Sequence, residues 1–280
     1  MPQIVRLERA PGSDLTAYSA RRDGAVAGTI AIPTRDHVGT GLFISMMMAD
    51  WSFLEPGQSI SWQVVEGSIL PSQRNELVQR MQGDWILFVD ADMSFSPDAI
   101  GRLVKVREEH DLDIVGGLCF QRKDPHQPTL YMREKPTEGG YTFLEQWDTD
   151  LVEVDGTGFA FILIHRRVFE RMVRVYEERP GFHWPPIEQR ESMPPPNFFR
   201  WMDGVGEDLR FCQDAKAIGC RIYVDTRIEI DHVSETTINH RSFLQELATR
   251  DPEVEQARRE LNDQLGLPTM TAAEARDRLR

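Results

Sequence analysis

The sequence predicts an α/β protein: a mixed, mostly parallel sheet flanked by helices, with a helical appendage at the C-terminus. Three observations predict it. Residues 85–89 (WILFV) are a continuous apolar run of strand length, the pattern of a strand buried on both faces. Strand-like and helix-like segments alternate up to about residue 120, as crossover helices on a parallel sheet require. Beyond residue 235 the pattern turns polar and helical, as in SFLQELATR and VEQARRELNDQLG.

The elements follow in order. Residues 1–27 carry turn signals at Gly12 and Gly24 and predict a short hairpin. Residues 28–32 read as a buried strand stopped by Pro33, and 38–51, apolar with small residues, as a helix. In that helix Met46, Met47 and Met48 read as core filler. A strand is expected over 60–65 and a helix over 72–82. After the WILFV strand, Ser96-Pro97-Asp98 is a helix start, with Ser as N-cap, Pro at the first position and an acid in the first turn. That helix should run to about residue 110, followed by a strand over 113–118. In the second half, 151–154 and 158–164 read as strands and 167–178 as a helix. Residues 180–197 hold six prolines and two aromatics and read as a long loop, a candidate acceptor lid with Trp184. A helix over 208–218 ends at Gly219, a C′ glycine. Short strands are expected over 222–224 and 227–230.

Composition narrows the function. The chain has 280 residues, 40% hydrophobic and 28% charged, ample for a core. Acidic residues outnumber basic ones 45 to 32, for a net charge of −13. That excludes a protein held to nucleic acid mainly by phosphate contacts, although not a basic groove on an acidic body. Three cysteines without a CxxC form neither a disulfide framework nor a thiolate zinc site and suit a reducing compartment. No apolar leader and no membrane-length apolar run is present, so the expected location is cytoplasmic.

Three clusters carry chemistry. Asp90-Ala91-Asp92 leaves the WILFV strand at its carboxyl end, where an α/β sheet binds its ligands. Carboxylates there suit a hard divalent cation; they equally suit a solvated acidic turn. Gly206-Glu207-Asp208 opens a helix. Its acids complement the helix dipole, and they also suit a general base beside a glycine that admits close approach. Asp231-His232 ends a strand; if the sheet brings His232 near Asp92, the imidazole becomes a third metal ligand and favours Mn²⁺ over Mg²⁺.

Together with IAIPTRD (30–36), SQRNELV (72–78), DIVGGLCFQR (113–122) and VDGTGFAFILIHRRVFE (154–170), these clusters resemble a GT-A glycosyltransferase of the family-2-like kind over residues 28–233. The resemblance implies a Rossmann-like GT-A domain over 1–234 and a helical extension over 235–280. Within the domain, 28–120 would bind the nucleotide sugar and 121–234 the acceptor. It implies that Asp90 and Asp92 match the metal-holding DxD, with Ala91 between them, and that His232 completes the site for Mn²⁺ or Mg²⁺. Asp208 matches the base of inverting members, with Glu207 orienting the acceptor. Pro33, Thr34 and Asp36 match the strand end that meets the nucleotide, Glu66 the acid held against the base, and Arg74 a basic group reaching the diphosphate.

The expected reaction is metal-dependent transfer from a nucleotide-diphosphate sugar, UDP-linked, to an acceptor hydroxyl. The acceptor is not legible: a small molecule, a glycan or, as in some virus-encoded relatives, a hydroxymethylpyrimidine in DNA. A retaining enzyme, a nucleotidyltransferase with a weak phosphate loop in IAIPTRDHVGTG, and a binding module without catalysis are the alternatives. In the segment after the 113–118 strand, Gln121-Arg122-Lys123 is a candidate phosphate contact.

Overall fold

A computed structural model describes residues 3–7, 16–21, 25–123, 125–135, 138–178, 197–201, 204–233 and 237–279. The first half runs β1 (Gln3–Leu7), β2 (Thr16–Arg21), β3 (Ala25–Thr34), α1 (Thr40–Met48), β4 (Gln58–Glu66), α2 (Leu70–Gln79), β5 (Trp85–Val89), β6 (Met93–Phe95), α3 (Ala99–Glu109) and β7 (Ile114–Leu118). Next come β8 (Leu130–Lys135), β9 (Glu138–Phe143), β10 (Leu151–Val154), β11 (Gly156–Thr157), β12 (Phe161–His165), α4 (Arg166–Glu178), α5 (Glu207–Ala217) and β13 (Ile222–Val233). The chain closes with β14 (Thr237–Ile238), α6 (His240–Thr249), α7 (Pro252–Leu265) and α8 (Ala272–Arg278).

The main sheet has the order β1-β2-β4-β3-β5-β12-β7-β13-β10. β4, β3 and β5 are parallel, β12 is inverted between β5 and β7, and β13 runs parallel to β7. The carboxyl ends of β3, β4, β5, β7 and β13 therefore face one edge, where the acidic clusters lie. β5 is buried along its whole length, as its apolar run predicts. Its alternating side chains feed both faces: Ile86 and Phe88 enter one hydrophobic cluster, Trp85, Leu87 and Val89 the other. Each such side chain contributes about 1.5–3 kcal/mol by leaving water. Cys119, Cys212 and Cys220 are all free and buried.

The C-terminal helices are bound into this core. Phe243 and Leu247 of α6 and Ala275 of α8 belong to the same cluster as Phe88 and Ile162. The fully buried Glu145 meets Arg250 at 3.2 Å and Arg258 at 2.5 Å, tying the end of α6 and α7 to the body.

Several elements differ from the sequence reading. β3 does not stop at Pro33 but runs to Thr34, pairing with β4 as far as Glu66. Its ladder with β5 ends at Ala31, so Pro33 lies where that side is an edge and a missing N–H costs nothing. α3 begins at Ala99 with Asp98 in the N-cap place; the Ser96 hydroxyl donates to Asp98 at 2.7 Å instead of capping. The residues before it form β6, unpredicted because its partner is the distant β13. The two strands expected over 222–230 are one, β13, irregular between Asp225 and Glu229. β8, β9 and β11 form a small second sheet that went unpredicted. Met47 and Met48 are exposed, not core. Residues 180–196 of the proline-rich segment, with Trp184, lie outside the described residues.

Candidate functional site

The carboxyl ends of β3, β4 and β5 surround a cleft of about 600 Å³. Pro33, Thr34 and Asp36 line one wall, Asp90, Ala91 and Asp92 another. The acidic turn is held by its backbone. Asp90 N–H donates to Ala160 at 3.0 Å, Met93 N–H to Asp90 at 3.2 Å and Val233 N–H to Asp92 at 2.8 Å. Gly39 N–H donates to the Ala91 carbonyl at 2.7 Å, and a Cβ at Gly39 would stand 2.8 Å from that oxygen. Only glycine fits such an approach without moving the turn.

Under the cleft, the buried amide of Gln73 donates to the carbonyls of Thr34, of Val65 at 3.1 Å and of Gly67 at 3.1 Å. These carbonyls lie where β3 and β4 end and their ladder stops. Gln73 thus fixes the two strand ends that form this wall of the cleft.

Arg74 lies beside it, 2% exposed, and does not line the cleft. It donates to Glu207 at 2.7 Å and reaches Asp90 at 3.3 Å, with its guanidinium over the Phe159 ring at 5.3 Å. The expected contact with a diphosphate is replaced by a clamp joining the acidic turn to the start of α5. The second oxygen of Glu207 accepts from the Trp201 indole N–H at 2.9 Å. Glu207 is thereby held from both sides, and Trp201 stays 62% exposed beside it.

Asp208 follows in the first turn of α5, its carboxylate accepting from Leu209 N–H at 2.7 Å. Burial holds its carboxyl above the ordinary value of 3.8; Arg74 opposes this, and Glu207 adds to it. Burial likewise raises Asp90, with Arg74 and His232 pulling it back and Asp208 pushing it up. The two carboxyls thus sense each other across Arg74, although 118 residues separate Asp90 from Asp208 (208 − 90). Of the two, Asp90 lines the cleft, and Asp208 is coupled to it through Arg74.

The third cluster assembles through β13. His232 pairs with Met93 of β6, which brings its Nε2 to 3.3 Å from Asp92 Oδ2. Its Nδ1 faces the Phe120 carbonyl at 3.4 Å. A proton on Nδ1 leaves the Nε2 lone pair turned to Asp92. Burial and Arg122 hold the imidazole below its ordinary value of 6.5. A carboxylate oxygen and an imidazole nitrogen facing one point are a donor pair that suits a divalent cation such as Mn²⁺. Asp90 lines the same cleft, with its Oδ1 accepting from Arg74 at 3.3 Å. Arg122, from the loop after β7, contacts both members: a terminal nitrogen meets Asp92, and Nε donates to His232 Nε2 at 2.5 Å.

Among the remaining expected residues, Glu66 ends β4 in register with Thr34 but does not line the cleft; its neighbour Gly67 does. Asp36 is exposed and pairs with His37 at 2.6 Å. Gln121 donates to the Tyr131 hydroxyl at 2.7 Å and is engaged within the fold. Asp155, in the 154–170 segment and outside the expected site residues, is held by Lys216 at 2.5 Å and by Arg133 N–H at 2.9 Å. Sequence reasoning missed Gln73, Gly39 and the contacts of Arg122. The only available signals were the SQRN segment, the Gly39-Thr40-Gly41 step and the basic pair after β7.

No helix of the described residues is long and apolar enough to cross a membrane. No curated protein matches the sequence. Among solved structures the chain is similar to A197 from STIV, with TM-score 0.45 and 16% identity over 74% of this chain and 85% of that one. It is also similar to S. aureus TarS 1–349 in complex with UDP-GlcNAc, with TM-score 0.41 and 14% identity over 80% of this chain. It spans 64% of that TarS chain. Residues 66–173 match the model of the family described as Glycosyl transferase family 2. That stretch begins at the end of β4 and reaches into α4, taking in Arg74, Asp90, Asp92 and Arg122; Asp208 and His232 lie beyond it. The match thus places a segment similar to glycosyl transferase family 2 on the β5–α3–β7 core of the sheet described above.

Proposed function

We propose that the enzyme moves a sugar from a nucleotide-diphosphate donor, UDP-linked, to an acceptor hydroxyl with inversion at the sugar carbon. One observation carries the reading. A single buried guanidinium, Arg74, joins the acidic turn on the cleft wall to the acidic start of α5. The donor-facing and acceptor-facing carboxylates therefore move as one unit. In this reading Pro33, Thr34 and Asp36 meet the nucleotide, with Glu66 behind them. Asp90 and Ala91 border the diphosphate.

Asp92 and His232 would hold a divalent cation, Mn²⁺ or Mg²⁺, and the carboxylate–imidazole pair fits it. When bound, that cation would neutralise charge on the departing diphosphate. Asp208 takes the proton from the attacking hydroxyl. Its raised carboxyl is a stronger base than an ordinary aspartate. Arg74 and Trp201 fix Glu207, which sets the backbone that carries Asp208. The exposed indole of Trp201 offers a flat face to an acceptor ring, a sugar or a base such as a hydroxymethylpyrimidine.

The test is the anomeric configuration of the product, followed by NMR with a UDP-sugar panel and small hydroxylated, glycan and hydroxymethylcytosine-DNA acceptors. Inversion, lost in Asp208→Asn, is the expected result. Retention of the donor configuration would remove Asp208 as the base.

A further inference from the structure

We propose that the outward face of α1 is a self-association surface, on which a second copy of this chain docks antiparallel about a two-fold axis. This surface does not depend on the transfer reaction above.

α1 is apolar on two sides. Its inner side is held by the body. Leu42 is buried in the cluster that contains Leu87 and Phe161, and the buried Ser45 hydroxyl accepts from Phe95 N–H at 3.0 Å. Its outer side carries Thr40, Phe43, Ile44, Met47 and Met48, the i, i+3, i+4, i+7, i+8 spacing with which a helix faces a core. The last four are between 54 and 70% exposed, so no described part of the chain covers them. Residues that read as core filler in the sequence therefore form half of a core.

Charge and area decide what completes it. The nine residues of α1 hold no charged side chain, and the exposed charges beyond its ends, Arg35, Asp36 and Asp50, do not make a basic flank. A helix that lies on a membrane surface carries lysines and arginines beside its apolar face, and an anionic membrane repels a chain of net charge −13. The four exposed side chains offer on the order of 500 Å², toward the upper end of the largest patch on a typical monomer, about 300–600 Å². Two such faces pressed together bury on the order of 1,000 Å² from these side chains alone, the size at which an interface becomes specific.

The stripe is also palindromic. Antiparallel pairing sets Phe43 of one copy opposite Met48 of the other, and Ile44 opposite Met47, because both pairs share a midpoint between Ser45 and Met46. One two-fold axis thus makes each pair twice, as an isologous interface requires. A thioether against an aromatic ring is itself favourable, and methionine adapts to the gap it must fill. Gly39, Thr40 and Gly41, at the start of the same helix, line the cleft, so each docked copy borders its partner's cleft.

The experiment is sedimentation velocity of the full chain up to tens of micromolar, with folding checked by circular dichroism. Wild type should sediment with twice the 32.2 kDa of one chain. Ile44→Lys and Met47→Glu each put a charge into the joint and should weaken self-association by about 10-fold or more, with unchanged spectra. Mixed in equal amounts, the two variants should associate more tightly than either alone, because the introduced opposite charges then meet while the second Ile44–Met47 pair stays apolar. A wild type that keeps the single-chain mass throughout overturns the proposal, as does a dimer that both variants leave intact. A mixture that associates no better than its components overturns the antiparallel pairing. A monomer that floats with phosphatidylcholine vesicles, and ceases to in Ile44→Lys, would give the face to lipid and overturn the second copy as its occupant.

Discussion

Arg74 donates to Glu207 Oε1 at 2.7 Å, joining residues 133 positions apart, and the same guanidinium reaches Asp90 at 3.3 Å. An arginine this deeply buried is stable only while its charge is matched. Removing it leaves the buried Glu207 without a counter-charge, although the Trp201 indole N–H still donates to it. Arg74→Met should destabilise the fold by about 3–5 kcal/mol, the usual cost of breaking a buried pair from one side. The double variant Arg74→Met/Glu207→Gln should recover part of that loss, since no charge is then stranded. Urea unfolding of the three proteins checks it; a loss below about 1 kcal/mol in the single variant would mean that the pair is effectively solvated.

As the proposed base, Asp208 would link stability to catalysis with opposite signs. Its carboxyl titrates at 3.8 in the unfolded chain and higher in the fold, because burial disfavours the charge. Between those two values the native state binds more protons, so stability falls as pH rises through the window and stays lower above it. Asp208→Asn removes that charge. The variant should melt higher than wild type at neutral pH, with the difference closing as pH falls toward 3.8. Transfer should drop by about 10²–10⁴-fold with donor binding preserved. In wild type the acid limb of kcat should lie above the ordinary aspartate range. Melting scans and rate profiles across pH check both, and equal melting temperatures at pH 7 would contradict the burial argument.

Gln73 carries a different kind of load. Its amide serves three carbonyls at the ends of β3 and β4 and makes no use of charge. Gln73→Met keeps the volume and leaves those oxygens without their donor. The expected cost is about 1–3 kcal/mol, the desolvation penalty of buried unpaired acceptors. Nucleotide affinity should fall as well, because Thr34 and Gly67 line the cleft. Thermal shift with UDP and Mn²⁺ reads the second effect, and unchanged affinity would separate Gln73 from the donor wall.

How much of this was legible in the sequence depended on range. β5 could be read from five residues, because burial on both faces leaves an unbroken apolar run. Asp90 and Asp92 followed, since they leave that strand at the ligand-binding edge. The meeting of His232 with Asp92 depends on the pairing of β13 with β6, a register that no local pattern encodes. Arg74 was noticed for its charge and given to the diphosphate. Its burial beneath the cleft comes from packing against Phe159 and Glu207, both far away in sequence. β8 and β9 were missed because their strands alternate weakly and the sheet they form is closed only by the two-residue β11, paired to β8.

The polar, helical pattern beyond residue 235 predicted a helical appendage without a role, and packing gives the last helices a structural one. Phe120, whose carbonyl faces His232, stacks on the His240 ring with centroids 5.9 Å apart and contacts Phe243 at 5.3 Å. Glu145 is fully buried against Arg250 and Arg258. Glu145→Gln should therefore cost about 3–5 kcal/mol by stranding two arginine charges near the core. A chain ending at residue 239 should lose more, because it exposes Phe120 and the cluster around it. That truncation should melt without a cooperative transition, whereas a sharp transition close to that of the full chain would make the last helices dispensable to the fold. Calorimetry decides between the two, since an enthalpy scaled to the missing residues accompanies only the second.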